Sequence, residues 1–178
     1  EIYLTFDDGP TPEITTFVLN ELKKHQAKAT FFCIGKNVKN HPSIYERIKK
    51  EGHSVGNHTY SHLNGFRTNN INYIENILQA EKLIESNLFR PPYGRLKSSQ
   101  ARSIIGKGYK IIMWDILSGD FDTTITPEKC LKNVLEKTTN GSIVVMHDSE
   151  KAKDKIFYTL PKILSYYQEK GYLFKAIS

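Results

Sequence analysis

Two adjacent acids, Asp7 and Asp8, end the first apolar run of the chain and are followed by Gly9-Pro10. Successive side chains leave a strand on opposite sides, so one acid can bind a metal while its neighbour handles protons. The same dipeptide before glycine also suits an ordinary turn. Further on, His58 and His62 stand four apart in His58-Thr59-Tyr60-Ser61-His62, and a helical turn there would bring both imidazoles to one face. A metalloprotease of the His-x-x-x-His kind needs Glu beside the first His, and Thr59 fills that place, so a protease is disfavoured. With Asp8, the pair forms a two-His, one-carboxylate set with open coordination positions, the form of a catalytic rather than a structural site.

His147 follows the apolar run Ile143-Val144-Val145-Met146 and so sits at a strand end. A metal set leaves work for one base and one acid, and imidazole titrates in the needed range. Asp148 reads as a turn cap. Arg90-Pro91-Pro92-Tyr93 combines a cation with two prolines that restrict the backbone, which would aim the Tyr93 N–H at a reacting carbonyl. Taken singly, Arg90 reads as a surface ion pair, and Trp114 and Phe121 as core residues.

These clusters need a scaffold that gathers strand ends on one face. Apolar runs alternate with helical periodicity, the pattern of βα units and a mostly parallel sheet. The strands are expected at Glu1–Phe6, Ala29–Ile34, Ser54–Asn57, Leu88–Arg90, Lys110–Asp115, Ser142–Met146 and Leu173–Ile177. Helices are expected after Thr11-Pro12-Glu13 and Thr126-Pro127-Glu128, whose threonines would cap them, and at Ser43–Glu51, Ile71–Ser86, Ser99–Lys107 and Pro161–Lys170. Gly52, Gly108 and Gly171 fall where a left-handed residue would end three of these helices. Seven strands in 178 residues fall short of the roughly 250 residues of an eight-stranded barrel, so the fold class is α/β, a distorted, incomplete (β/α) barrel of about seven parallel strands, forming a single domain over residues 1–178. An open doubly wound sheet is the runner-up, but two acids occupy the place of its glycine-rich phosphate loop.

The hydrophobic fraction of 39% and charged fraction of 25% are those of a globular protein, and no apolar run approaches membrane-spanning length. Lys and Arg number 25 against 19 acids, a formal charge of +6 that favours polyanions in general. The basic residues are scattered, as at Lys23-Lys24, Lys49-Lys50 and Lys151 to Lys155, without the aromatic-interleaved stripe of a nucleic-acid binder, so no nucleic-acid partner is expected. Cys33 lies in an apolar run and reads as a buried hydrophobe; it and Cys130 leave the redox compartment open.

Together, Thr5-Phe6-Asp7-Asp8-Gly9-Pro10, the His58/His62 segment, Arg90-Pro91-Pro92-Tyr93, Asp120-Phe121 and Val144 to His147 resemble, in order, the motifs of the polysaccharide deacetylase family, with its NodB homology domain, also classed as carbohydrate esterase family 4. The resemblance implies a distorted (β/α) barrel. It also implies a divalent metal, most commonly zinc, with cobalt, nickel or manganese as alternatives, held by Asp8, His58 and His62. By the same resemblance Asp7 is the general base, His147 the general acid, Arg90 orients Asp7, Asp120 tunes His147, and Tyr93 supplies an oxyanion-hole N–H. Tyr93, Phe121, Val144 and Trp114 are the residues expected to meet the glycan. Two positions depart from the family pattern: Phe121 replaces a tryptophan, and Val144 stands for the leucine of Leu-x-x-His.

The implied activity is metal-dependent removal of N-acetyl groups from an aminosugar polymer, with peptidoglycan first and chitooligosaccharide second. An acetylxylan O-esterase on the same fold and a catalytically inactive carbohydrate-binding domain are the alternatives. The expected setting is a monomer that is secreted or in a bacterial cell envelope, acting on an acetylated glycan.

Overall fold

Seven short strands, all parallel, curl into one sheet in the order β5-β4-β3-β2-β1-β7-β6. They are β1 (Tyr3–Asp7), β2 (Ala29–Cys33), β3 (Ser54–Asn57), β4 (Leu88–Phe89), β5 (Lys110–Ile111), β6 (Ile116–Leu117) and β7 (Ile143–His147) in a computed structural model that describes all of residues 1–178. Seven helices surround them: α1 (Pro12–Lys24), α2 (Gly35–Asn40), α3 (Pro42–Lys50), α4 (Asn70–Glu81), α5 (Ser98–Gly106), α6 (Pro127–Leu135) and α7 (Lys153–Glu169). None is long and apolar enough to cross a membrane.

The strand period of two sorts the residues into two environments. Leu4 and Phe6, Ala29, Phe31 and Cys33, and Val144 and Met146 face outward into a 26-residue apolar cluster shared with the helices. Thr5, Asp7, Phe32, Val145 and His147 take the alternate positions, inside the curl. The register then sets neighbours on the inner face, pairing Thr5 with Val145 and Asp7 with His147. This period also corrects one expectation. Val144 is fully buried in the outer core, while Val145, two residues before His147 and so on its side of the strand, lines the cleft.

The barrel does not close by hydrogen bonds, because β5 and β6 are the two edges. Only Ile112 to Asp115 connect them, a stretch that spans at most about 18 Å. The curl must therefore bring the edges near one another. Of the expected strand Lys110–Asp115, only Lys110–Ile111 is strand; the rest is the crossing, and the unexpected edge strand β6 follows it at Ile116–Leu117. The expected seventh strand, Leu173–Ile177, forms only an isolated parallel bridge, Phe174 to Ile2, beneath β1.

The helices follow their apolar faces more than their local signals. Helix α7 starts at Lys153 rather than at Pro161 and carries that proline inside. Burial of Ile156, Leu160, Ile163, Leu164 and Tyr167 outweighs the one hydrogen bond the proline cannot make. Thr126 caps α6 by accepting from Lys129 N–H, as expected, whereas the Thr11 side chain makes no cap bond. Gly52, Gly108 and Gly171 all have positive φ, as expected at helix ends. The six-residue α2, with Val38 its only buried large apolar side chain, is too short to show a period.

Candidate active site

The C-terminal ends of β1, β3, β4 and β7 open onto one cleft of about 710 Å³, lined by Asp7, Asp8, His58, His62 and His147 among others. Asp7 is buried, and its Oδ1 accepts from Arg90 Nη1 at 2.8 Å. Arg90 is itself fully buried, not a surface ion pair. Its Nη1 also donates to Thr5 Oγ1 at 2.6 Å, its Nε to the carbonyl of Ile112 at 3.1 Å and its Nη2 to that of Met113 at 3.2 Å, while its guanidinium lies 4.1 Å over the Phe32 ring. A buried cation this fully bonded holds the Asp7 carboxyl fixed in direction.

Asp8 turns the other way because its backbone is left-handed, φ 85°. Its N–H donates to Phe32 O and its carbonyl accepts from Asn37 Nδ2 at 2.7 Å, so the turn is held from β2 and α2. Asp8 Oδ1 then lies 3.1 Å from His62 Nε2 and 3.7 Å from His58 Nε2. All three donor atoms fall within 4.8 Å of one another, yet Asp8 Oδ1 is buried without a hydrogen bond of good geometry. Donors sharing a tetrahedral ion at about 2.1 Å lie about 3.4 Å apart, so an orphaned carboxylate oxygen between two imidazole nitrogens fits a divalent metal.

The tautomer supports that fit. His58 Nδ1 donates to the Arg90 carbonyl at 2.7 Å, which leaves the Nε2 lone pair aimed at Asp8. Burial, outweighing the nearby Asp7 and Asp8, lowers the His58 pKa, so the ring stays neutral as a ligand must. Burial raises the Asp8 carboxyl, but the hydrogen-bonding contact with His62, together with the fields of the surrounding imidazoles, outweighs it and holds the carboxyl down at about 2.

The expected helical turn between His58 and His62 is absent. The segment is irregular, with Thr59 at φ 65° and His62 at φ 58°. Asn57 and Asn76 impose this path: Asn57 Oδ1 accepts from Thr59 N–H at 2.9 Å, and Asn76 Oδ1 from the N–H groups of Tyr60 and Ser61. The two rings end 5.1 Å apart, centre to centre.

Across the cleft, Asp120 is fully buried and binds His147 twice, accepting from its backbone N–H at 2.6 Å and facing its Nδ1 at 2.7 Å. Burial pulls the His147 pKa down; the Asp120 charge and hydrogen bond, with the fields of Asp7 and Asp8, push it up to about 9. The ring is therefore protonated at neutral pH, with Nε2 left for the cleft. Tyr93 has φ 61°, 61% of its surface exposed, and its ring 4.7 Å from that of His62. Its N–H has no acceptor in the protein, the state an oxyanion donor needs. Of the five non-glycine residues with positive φ, Asp8, Thr59, His62 and Tyr93 lie here; backbone strain of about 1–3 kcal/mol each concentrates where geometry must be imposed.

Comparison with known proteins agrees with this arrangement. Residues 1–112 match the polysaccharide deacetylase family. The chain belongs to that family. It is 36% identical over 155 residues to a peptidoglycan-N-acetylglucosamine deacetylase of Bacillus cereus, covering 84% of this chain and 56% of that protein. It is 35% identical over 155 residues to a chitooligosaccharide deacetylase of Azorhizobium caulinodans, covering 83% and 73%. A crystal structure of a peptidoglycan N-acetylglucosamine deacetylase bound to a naphthyl N-hydroxybenzamide superposes with a TM-score of 0.94 at 33% identity, covering 99% of this chain and 86% of that one. The chain thus spans little more than half the length of the first of these relatives. The curled seven-stranded barrel is the fold of these family structures.

Within the family frame, Trp114 and Phe121 line the cleft instead of entering the core, and the Phe121 ring stands edge-on to His147 at 5.2 Å. Sequence reasoning missed the supports. Asp148 is no surface cap: it is fully buried, accepting from Gly9 N–H at 2.9 Å and Thr15 Oγ1 at 2.5 Å, and burial pushes its carboxyl up to about 7. A Cβ on Gly9 would meet Asp148 Oδ2 at 1.9 Å, so only glycine lets the two loops lock. The signal was available only as the invitation of an acid after His147. Asn37 and Asn76 gave none, because their roles depend on contacts distant in sequence, whereas Asn57 shapes the segment through Thr59, two residues on. Cys33 and Cys130 are buried free thiols; burial raises both, Cys130 to about 12, which removes them as nucleophiles.

Proposed function

We propose that the chain is a metal-dependent N-deacetylase of an aminosugar polymer, with peptidoglycan N-acetylglucosamine as first substrate and chitooligosaccharide second. The observation that carries this reading is that two separately anchored proton-transfer groups, Asp7 on Arg90 and His147 on Asp120, occupy neighbouring strands beside a three-donor cluster. Asp8, His58 and His62 would hold the ion, zinc by the chemistry of two imidazoles and one carboxylate. Once bound, a divalent ion supplies Lewis acidity, polarising the amide carbonyl and making water easier to deprotonate.

The protein's own groups do the rest. Asp7, held in place by Arg90, takes the proton from the attacking water. The free Tyr93 N–H donates to the carbonyl oxygen as negative charge develops on it. His147, protonated because Asp120 holds its Nδ1, gives its Nε2 proton to the departing sugar amine. A positioned acid or base each contributes about 10² to 10⁴ in rate, and an oxyanion donor about 10² to 10³. Trp114 and Phe121 supply apolar walls, and Val145 takes the pocket role expected of Val144. The names of the peptidoglycan-deacetylating relatives support a setting in the bacterial cell envelope or outside the cell; the protein is proposed to act there as a monomer.

The test measures acetate release from peptidoglycan fragments, chitooligosaccharides and acetylxylan after chelation and after metal add-back. Asp7→Asn is expected to keep metal binding and lose at least a hundredfold in rate, whereas His58→Ala loses both. Equal activity of Asp7→Asn and wild type would refute the base assignment. Release from acetylxylan alone would replace the amidase reading with an esterase.

A further inference from the structure

Beyond the catalytic groups, the cleft has a second wall built from the segment that follows β7, Ser149, Glu150 and Lys151. Three lysines alternate here, and the fold disposes of them differently. Lys153 is committed to Glu13, 2.6 Å away. Lys155 is buried. Lys151 is exposed on the cleft wall and has no hydrogen bond or ion pair within the protein. It is the only Lys or Arg among the residues lining the cleft, where the other charged groups are the carboxylates Asp7, Asp8 and Glu150 and the protonated His147.

The backbone under Lys151 is fixed on both sides. Asp148 is locked to Gly9 and Thr15, and the fully buried Ala152 donates its N–H to Ser149 O at 3.0 Å. An unpaired ammonium on a fixed turn at the cleft edge favours an anion on the ligand, and the fixed backbone confines the ordering cost to the side chain itself. A neutral glycan gives that charge nothing to pair with.

We infer that Lys151 forms a carboxylate-recognition site at the cleft edge, taking an acidic group carried by the sugar next to the one being deacetylated. This rests on the proposed deacetylase reading and narrows its substrate to an acid-bearing aminosugar polymer. The carboxylate has two sources in peptidoglycan: a free lactyl ether on the neighbouring sugar, or an acidic residue of a peptide attached to that ether.

The test uses metal-loaded Asp7→Asn protein, which holds glycan without turning it over, with and without Lys151→Ala. Binding is measured by calorimetry for three glycans of equal length: a neutral chitooligosaccharide, an alternating glycan with free lactyl groups, and the same glycan with its peptides attached. Lys151→Ala is expected to weaken an acid-bearing glycan about fivefold, the scale of a partly exposed charge pair, and to leave the chitooligosaccharide unchanged. Lys151→Arg should restore binding, and 0.5 M salt should shrink the gap. Selective loss for the free lactyl glycan identifies the ether as the ligand, and selective loss for the peptide-bearing glycan alone identifies the peptide. Equal loss for all three glycans, or no loss for any, overturns the assignment. If selective loss is seen but wild type releases acetate from none of them, Lys151 stands as a binding residue and the deacetylase reading falls.

Discussion

Replacing Asp120 by Asn keeps the shape of the side chain and removes its charge, so it isolates what that carboxylate does to His147. Of the groups that raise His147 to about 9, the Asp120 charge is the largest and its hydrogen bond the next; burial opposes both. Without them the imidazole should fall to about 7 or lower. At pH 8 a group of pKa 9 is about 90% protonated and one of pKa 7 about 10%, so loss of the acid form alone costs about tenfold. At pH 6 both are protonated and this loss vanishes. The assay is kcat/KM for acetate release from pH 5.5 to 9.5, expressed as the ratio of variant to wild type, with NMR titration of His147 in metal-free protein as a second readout. A folded-state pKa above the ordinary 6.5 means that protonation stabilises the native state fully below pH 6.5, and that this stabilisation, about 3 kcal/mol at most, is lost as pH rises from 6.5 through 9. Wild type should therefore lose melting temperature across that window while Asp120→Asn stays nearly flat. A variant-to-wild-type ratio that does not change with pH, together with an unmoved His147 titration, would show that Asp120 does not set the protonation of this ring.

The remaining expectations test the scaffold. Arg90→Ala should destabilise by about 3–5 kcal/mol, since it leaves Asp7 buried without its cation, and chemical denaturation measures it. Gly56→Ala places a Cβ 2.5 Å from the Phe32 ring and should cost about 1–3 kcal/mol by overpacking, read as a lower melting temperature. His53 is buried and neutral, its pKa lowered to about 4 by burial and then by Lys28. An unfolded chain takes up that proton near pH 6.5, so stability should fall as pH drops from 6.5 toward 4, and His53→Gln should flatten that part of the melting profile.

Reading the chain directly works best where burial is symmetrical. Strands β1, β2 and β7 are central and read as nearly continuous apolar runs, whereas the edge strands mislead. Ile112, Met113 and Trp114 stay apolar while crossing between β5 and β6, because the crossing lies against Arg90 and the cleft. Nothing in residue type separates that from a strand. Phe174 is apolar because it packs beneath β1, and one bridge satisfies it. The clustered acids and imidazoles were legible as candidates because metal and proton chemistry restrict them to few residue types. Their supports were not, because Asn76 and Asp148 act through partners that only the fold brings near. Val144 is the instructive miss: counting by two from His147 selects Val145, and the structure follows the count.

Arg90 explains why the proposed metal donors and the proposed proton-transfer pair can coexist so closely. Its side chain ties Thr5 and Asp7 of β1 to the carbonyls of Ile112 and Met113, the chain that bridges the open edges of the barrel. Its backbone carbonyl fixes the His58 tautomer, and its N–H pairs with Asn57 O beside that histidine. One fully buried residue therefore joins the gap in the barrel, the proposed base and one proposed ligand. That is also why Asp7 and Asp8, neighbours in sequence, do not compete for one ion: Arg90 holds the first carboxylate inside the barrel, and the left-handed backbone of Asp8 turns the second toward the imidazoles. It follows that Arg90→Lys, which keeps the charge but cannot reach Thr5, Asp7, Ile112 and Met113 together, should retain more stability than Arg90→Ala and still lose rate.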